Sequence, residues 1–173
     1  FVSGPGGLMA RLLNIPLFVH EQNSIVGMTN RILSRFATGV YVAFPRTADT
    51  IAGAECIGNP VREDLTQLDQ PGRRLEARMD SPLHLLVIGG SLGAAALNRM
   101  VPQALACLEP EQRPRVRHQC GEKHLQTCQQ HYADARIEAE VVSFIDDMSE
   151  AYAWADLVVC RAGALTIAEL CAV

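Results

Sequence analysis

Short runs of apolar residues recur along the chain, and amphipathic segments separate them. Within a run the apolar residues are continuous, which is typical of parallel strands buried on both faces. In chain order, the pattern predicts strands at 16–20, 39–43, 55–57, 83–88, 115–118, 139–144 and 157–160. It predicts helices at 8–13, 29–36, 96–108, 124–132 and 149–154, and a last helix that begins near Ala164. This alternation predicts an α/β fold with parallel sheets.

The pattern is interrupted by a charged stretch at 63–80, with Pro71 and Gly72 near its centre. Such a change in composition is typical of a domain boundary. We therefore predict a first domain at 1–64, a linker at 65–81 and a second domain at 82–173. Both domains have the strand–helix order of a doubly wound, Rossmann-like fold.

The two ends of the sequence lie within predicted elements. The chain begins at Phe1, in a predicted strand-to-helix turn, and ends at Val173, about ten residues into the last helix. We therefore expect an internal piece of a longer protein, with both sheets incomplete and no activity by itself.

Composition excludes several classes of protein. A formal net charge of −4 without a long basic run argues against a nucleic-acid partner. No apolar stretch approaches the roughly 18 residues that a membrane-spanning helix needs. The six cysteines form no CxxC pair, and we interpret them as thiols in a reducing compartment.

Two segments, 85–93 and 157–166, combine an apolar strand, a glycine-containing turn and the start of a helix. Glycine lets the backbone approach an anion, and the first turn of a helix offers unpaired N–H groups. Two such turns suggest a single diphosphate site built from both. The first turn could also be a tight turn without a ligand, or part of a nicotinamide dinucleotide site. However, Leu92 stands where the dinucleotide fingerprint requires glycine, and 115–118 lacks the acidic residue that would bind ribose.

Glu169 lies about one and a half turns into the last helix, after the turn at 161–163. A carboxylate at this position can accept hydrogen bonds from a sugar diol while the turn faces phosphate. The alternative is a solvated helix residue, with Thr166 as a capping group.

Four polar residues, His20, Glu21, Gln22 and Asn23, follow the predicted strand at 16–20. They lie at the carboxyl end of a parallel strand, where open α/β sheets bind ligands. His20 or Glu21 could remove a proton from a hydroxyl group. The alternative is a polar loop with Asn23 in a turn.

A group of histidines and cysteines is the candidate metal cluster, but its spacing matches no structural zinc pattern. We interpret its helical part as an amphipathic surface helix, and we predict no metal. The group comprises His118, Cys120, His124, Cys128 and His131.

Five motifs occur in order, at 20–23, 58–62, 89–94, 144–148 and 161–166. In sequence and spacing the chain resembles the MurG family, the bacterial UDP-N-acetylglucosamine transferases of glycosyltransferase family 28. The resemblance implies a GT-B fold of two Rossmann-like domains, with the acceptor at the N-terminal domain and the UDP-sugar at the C-terminal domain. It implies transfer of N-acetylglucosamine to the 4-hydroxyl of the N-acetylmuramyl sugar of lipid I, giving lipid II in peptidoglycan synthesis. The implied reaction inverts the anomeric centre and uses no metal or cofactor, and the implied roles include cell-wall biogenesis, cell shape and cell division.

The resemblance also implies site residues. Asn23 would contact the donor sugar or the transfer region, Arg62 and Ser91 the nucleotide and its phosphates, and Ile145 the uracil edge through its backbone. The start of the last helix would bind the diphosphate and the ribose, with Glu169 on the ribose hydroxyls. The residues concerned are Ala164, Leu165, Thr166, Ile167, Ala168 and Glu169.

The resemblance further implies a peripheral protein on the cytoplasmic face of the bacterial inner membrane. The segment 8–13, which includes Arg11, could contact the membrane, or it could be a buried helix face. Two other hypotheses for the whole chain remain open: an NAD-dependent oxidoreductase, and a nucleotide-sugar-binding module without catalysis.

Overall fold

The computed structural model describes residues 3–76, 78–79, 81–90 and 92–173. The chain forms two compact units, Phe1–Val61 and Arg62–Val173. All strand pairs in both sheets are parallel, which confirms the predicted α/β class.

The first unit contains a three-stranded sheet in the order β1-β2-β3. Val40, Val42 and Ile51 form the centre of its core. Its elements are α1 (Ser3–Leu12), β1 (Phe18–Glu21), α2 (Met28–Leu33), β2 (Gly39–Val42), α3 (Pro45–Ala48) and β3 (Ala54–Cys56).

Helix α1 is longer than the predicted 8–13, because it begins at Ser3 and continues through Pro5 and Gly7. Proline is tolerated in the first turn of a helix, where its missing N–H would have had no partner. At Gly7, a Cβ atom would lie 2.6 Å from Cδ2 of Leu33 in α2. Glycine therefore allows α1 and α2 to pack closely, although the same residues weaken the helical pattern in the sequence.

The second unit contains a four-stranded sheet in the order β6-β5-β4-β7. Its main core lies around Leu85, Val87, Leu105 and Tyr132. Its elements are α4 (Glu63–Thr66), α5 (Pro71–Glu76), β4 (His84–Ile88), α6 (Ala95–Ala106), β5 (Arg115–Gln119), α7 (Leu125–Asp134), β6 (Glu140–Val142), α8 (Met148–Trp154), β7 (Leu157–Cys160) and α9 (Ala164–Ala172).

Strand order in this sheet identifies a crevice. The chain moves from β4 to β5 and β6 on one side, and then crosses to place β7 on the other side of β4. Open α/β sheets bind ligands at the carboxyl ends of strands where the order reverses in this way. In the paired register Ile88 lies opposite Cys160, so the turns after β4 and β7 begin side by side.

The charged stretch assigned to a linker includes helical residues that pack within the second unit. Helix α5 is anchored by Arg74, whose guanidinium donates to the carbonyl oxygens of Tyr152 and Val173. Arg78 contacts Asp156 at 3.0 Å and donates to the carbonyl of Trp154. The domain boundaries at 64 and 82 stay a prediction.

Among the described residues, no helix is both long and apolar enough to cross a membrane.

Candidate functional site

The first glycine turn, formed by Gly89, Gly90 and Gly93, connects β4 to α6. The N–H of Gly89 donates to the carbonyl of Gln119 at 3.0 Å, and the N–H of Gly93 donates to the carbonyl of Gly90 at 2.8 Å. Gly90 and Gly93 have φ angles of +79° and +73°, in the region that favours glycine. Ser91, a predicted donor-binding residue, lies outside the described residues.

This turn packs tightly on one side and is open on the other. A Cβ atom at Gly93 would lie 2.1 Å from the carbonyl oxygen of Cys120. One at Gly89 would lie 2.8 Å from the backbone nitrogen of Ala94, whereas one at Gly90 would meet nothing within 4 Å. The backbone at Gly90 therefore borders open space into which a ligand could fit.

The second glycine turn, at 161–163, connects β7 to α9. The N–H of Gly163 donates to the carbonyl of Arg161 at 2.8 Å. Gly163 is the N-cap of α9, and no side chain bonds to the cap. The positive end of the α9 dipole lies at the crevice between β4 and β7. In the first turns of α9, Ala164, Thr166 and Ala168 are half-buried, whereas Leu165 and Ile167 are exposed.

Glu169 is held by two other side chains of the second unit. Its Oε2 accepts a hydrogen bond of 3.0 Å from the hydroxyl of Tyr152, which is buried. Its Oε1 lies 3.9 Å from the guanidinium of Arg62. Burial and the neighbouring Glu169 raise the pKa of Tyr152, so its phenol stays a donor. Glu169 is thus a bonded carboxylate about one and a half turns into α9, rather than a freely solvated helix residue.

The motif at 144–148 lies between β6 and α8. Its Asp147 caps α8, since its carboxylate accepts a 2.8 Å hydrogen bond from the N–H of Glu150. Ile145 is half-buried and lies two residues before this cap. The cap thus fixes the backbone on one side of Ile145, at the carboxyl end of β6.

In the first unit, the polar segment 20–23 contacts the segment that follows β3. Nε2 of His20 lies 3.0 Å from the carbonyl oxygen of Gly58. The side-chain amide of Asn59 donates to the carbonyl of Gln22 at 3.1 Å. Two of the five sequence motifs are therefore joined by direct hydrogen bonds.

Glu21 is 2% exposed, and both of its carboxylate oxygens accept hydrogen bonds. The donors are the backbone and side chain of Asn23, the backbone of Gly27 and the side chain of Asn30, at 2.9–3.1 Å. Burial alone would raise the pKa of Glu21, but these hydrogen bonds lower it. A carboxylate of low pKa is a weak base, so its contacts favour Glu21 as the residue that holds the segment 22–30 in place. A catalytic role for Glu21 stays a prediction.

The candidate metal cluster forms part of a buried hydrogen-bond network. Nδ1 of His118 lies 2.8 Å from the hydroxyl of Tyr132, and its Nε2 lies 3.0 Å from Oδ1 of Asn98. In the part of the chain that the structure describes, no group of three or more His, Cys, Asp or Glu residues could hold a metal ion.

Tyr152 and Asn98 are residues that the sequence analysis missed. The contact of Tyr152 with Glu169 joins residues 17 positions apart across β7, and that of Asn98 with His118 joins residues 20 positions apart. Neither residue belongs to a recognisable motif, so no local signal in the sequence indicates these contacts.

Comparison with protein-family models identifies the fold family. Residues 84–173 match the C-terminal domain of glycosyltransferase family 28, and residues 1–42 match its N-terminal domain. The chain belongs to glycosyltransferase family 28. This assignment replaces the oxidoreductase hypothesis that the first glycine turn had left open.

Curated members of family 28 resemble the chain closely. A protein of Chromohalobacter salexigens is 60% identical over 99% of this chain and 47% of its own length. A protein of Marinobacter nauticus is 54% identical, also over 99% of this chain and 47% of its own length. Both are named UDP-N-acetylglucosamine–N-acetylmuramyl-(pentapeptide) pyrophosphoryl-undecaprenol N-acetylglucosamine transferase. The chain spans about half the length of these curated relatives.

A solved family 28 structure has the same fold. The crystal structure of Acinetobacter baumannii MurG superimposes with a TM-score of 0.74 at 43% sequence identity. The match covers 99% of this chain and 47% of that chain. This likeness confirms the predicted GT-B class, of which the chain covers part.

Proposed function

We propose that the protein transfers N-acetylglucosamine from UDP-N-acetylglucosamine to the 4-hydroxyl of the N-acetylmuramyl sugar of lipid I. The product is lipid II, an intermediate of peptidoglycan synthesis. One observation carries the proposal: two glycine turns lie side by side where strand order reverses, and the helix after the second turn carries a fixed carboxylate, Glu169. The names of the curated relatives supply the identities of the donor and the acceptor.

The donor would lie along the carboxyl ends of β4 and β7. Backbone N–H groups at Gly90 and at the start of α9 would bind its diphosphate. Glu169 would accept hydrogen bonds from the ribose hydroxyls, and the backbone at Ile145 would contact the uracil. Arg62 is half-exposed beside Glu169 and could reach a phosphate while remaining near that carboxylate.

These groups would also promote the reaction. Departure of UDP places negative charge on the diphosphate, and a cation and fixed N–H dipoles stabilise that charge as it forms. Inversion of the anomeric centre fits a single displacement in which a base removes the proton from the acceptor hydroxyl. His20 is the better candidate for this base among the residues of 20–23, since the carboxylate of Glu21 is already bonded through both oxygens. Because Nε2 of His20 donates to the carbonyl of Gly58, the base would be its Nδ1. Asn23 is exposed and would contact the donor sugar.

The lipid acceptor requires access to a membrane surface. Helix α1 and the residue after it expose Leu8, Leu12 and Leu13 beside Arg11, so the apolar side chains predicted to contact lipid are not buried within the first unit. Apolar side chains next to a basic residue are typical of helices that lie in a membrane interface. We therefore propose peripheral binding to the cytoplasmic face of the inner membrane.

The test is transfer of radiolabelled N-acetylglucosamine to lipid I by the complete protein that carries this sequence. The proposal predicts lipid II formation without an added divalent metal, and reduced transfer at a limiting donor concentration when Glu169 is replaced. Donor binding without transfer to lipid I would identify a nucleotide-sugar-binding module and would contradict the proposal.

A further inference from the structure

A chain of buried hydrogen bonds joins α7 to the segment that supports the first glycine turn. It runs from Tyr132 through His118 and Asn98 to the carbonyl oxygen of Cys120, with heavy-atom distances of 2.8, 3.0 and 3.0 Å. These four residues are almost completely buried. Burying a polar side chain costs free energy unless the side chain is hydrogen-bonded. Here each polar side chain is hydrogen-bonded to the next member of the chain.

The direction of each bond in this chain is fixed by chemistry. A carbonyl oxygen only accepts, so the side-chain amide of Asn98 donates to Cys120 and turns its Oδ1 towards His118. Nε2 of His118 must then carry the proton, which leaves Nδ1 to accept from the hydroxyl of Tyr132. Burial lowers the pKa of His118 to about 4, in agreement with a neutral ring. The network therefore holds the amide of Asn98 in a single orientation.

A proline in α6 strengthens the attachment of Asn98. The carbonyl of Asn98 would normally accept a hydrogen bond from the N–H four residues later, but that residue is Pro102, which has none. This carbonyl instead lies 3.1 Å from Nδ1 of His131, which donates to it from α7. Asn98 is thus tied to α7 by its backbone and to β5 and the Cys120 carbonyl by its side chain.

The carbonyl of Cys120, to which Asn98 donates, packs directly against the first glycine turn. A Cβ atom at Gly93 would lie 2.1 Å from this oxygen, so the Cα of Gly93 is in close contact with it. A Cβ atom at Gly121 would similarly lie 2.7 Å from the nitrogen of Gly93. A shift of the Cys120 carbonyl would therefore move the backbone of the turn directly.

We propose that Asn98 is a positioning residue for nucleotide diphosphate binding: it sets the first glycine turn through the Cys120 carbonyl, and His118 and Tyr132 fix its amide. Asn98 does not touch the ligand in this account. The inference rests on the proposed function, since it assumes that the turn binds the phosphates of a uridine nucleotide.

The proposal separates phosphate binding from general stability. If Asn98 positions the turn, its loss weakens the binding of UDP but leaves the binding of uridine, which has no phosphate, nearly unchanged. If Asn98 only stabilises the fold, both ligands are affected alike or not at all. The ratio of the two inhibition constants is thus the informative quantity.

The experiment measures inhibition of the transfer reaction by UDP and by uridine in the complete protein, together with the melting temperature. Asn98→Ala should raise the inhibition constant of UDP by about threefold to tenfold, which corresponds to the loss of roughly one hydrogen bond. It should raise the inhibition constant of uridine by less than about twofold. Tyr132→Phe removes one oxygen at the far end of the network and should act in the same direction with a smaller effect. If Asn98→Ala does not fold, the UDP-to-uridine ratio of Tyr132→Phe tests the proposal instead.

Asp156→Asn is the matched control. Asp156 is a buried side chain of the same unit that bonds Arg78 and the N–H of His84, at the amino end of the sheet and away from both glycine turns. It should lower the melting temperature without changing the UDP-to-uridine ratio. If the wild-type protein prefers UDP and the UDP-to-uridine ratio is unchanged in both Asn98→Ala and Tyr132→Phe, the inference about Asn98 is wrong but the proposed function stands. A wild-type protein with no preference for UDP over uridine would overturn the proposed function, and the inference with it.

Discussion

The hydroxyl of Tyr152 donates a 3.0 Å hydrogen bond to Oε2 of Glu169, and this contact joins α8 to α9. Tyr152 is buried, whereas Glu169, about one and a half turns into α9, is partly exposed. The bond therefore fixes one carboxylate oxygen from the protein interior. The other oxygen lies 3.9 Å from the guanidinium of Arg62, which is half-exposed.

Glu169→Ala should weaken UDP-N-acetylglucosamine binding by about 1–3 kcal/mol, because charge-assisted hydrogen bonds to the ribose would be lost. Calorimetric titration of the complete protein measures this change. Glu140→Ala, which removes an exposed carboxylate paired with Arg117, is the control and should leave donor affinity unchanged. Equal affinities for wild type and Glu169→Ala would mean that this carboxylate does not bind the donor.

Tyr152→Phe should weaken UDP binding by a few-fold, because Glu169 keeps its charge but loses the bond that orients it. The same variant should reduce the preference for UDP over 2′,3′-dideoxy-UDP, which lacks the diol. Inhibition constants for the two nucleotides measure this preference. If Tyr152→Phe kept the wild-type preference for UDP over the dideoxy nucleotide, the hydrogen bond from Tyr152 would not be needed to orient Glu169.

Gly93→Ala and Gly90→Ala should differ in their effects on stability. Both residues have positive φ angles, so alanine costs about 1–2 kcal/mol at either position. Only at Gly93 would the added Cβ also collide with the Cys120 carbonyl, at 2.1 Å. We expect Gly93→Ala to lower the free energy of unfolding by more than about 2 kcal/mol, and Gly90→Ala by about 1 kcal/mol, in urea titrations. Equal losses would contradict the close packing described for Gly93.

His118 should make stability depend on pH between 6.5 and about 4. Burial lowers its pKa from 6.5 to about 4, so in this window the unfolded chain binds a proton that the folded chain does not. The stabilisation is complete above pH 6.5 and is lost as the pH falls, by up to about 3 kcal/mol at pH 4. The groups that contact the ring, Tyr132, Asn98 and Cys128, carry no charge there. Urea titrations of wild type and His118→Gln across this range should converge at low pH, whereas parallel curves would contradict a buried neutral ring.

Leu12→Glu should weaken binding to lipid vesicles, because it places a charge on the exposed apolar side of α1. Leu12 is 66% exposed, so the substitution should not reduce stability. Co-sedimentation with vesicles that contain anionic lipid measures binding, and Met79→Glu, an exposed apolar position of the second unit, is the control. Equal loss in both variants, or in neither, would argue against membrane contact through α1.

The sequence predicted the parallel sheets because buried strands such as β4 and β7 are continuous apolar runs; β7 has the predicted bounds, 157–160. It predicted less well where glycine, proline or charge obscures the pattern. Helix α1 begins five residues before the predicted start, and α5 lies in the stretch assigned to a linker. The first glycine turn was recognisable because backbone geometry requires glycine at Gly90 and Gly93. The second was recognisable because Gly163 stands between an apolar strand and a helix. The contacts that support the site, Tyr152 with Glu169 and Asn98 with Cys120, depend on tertiary packing and leave no local pattern.

The most direct test of this account is calorimetric titration of the complete protein with UDP-N-acetylglucosamine, UDP-glucose and NADH in parallel. The two glycine turns and Glu169 predict binding of UDP-sugars and none of NADH, and the names of the curated relatives favour UDP-N-acetylglucosamine over UDP-glucose. Binding of NADH without binding of either UDP-sugar would contradict the assignment of the crevice between β4 and β7 to a nucleotide-sugar.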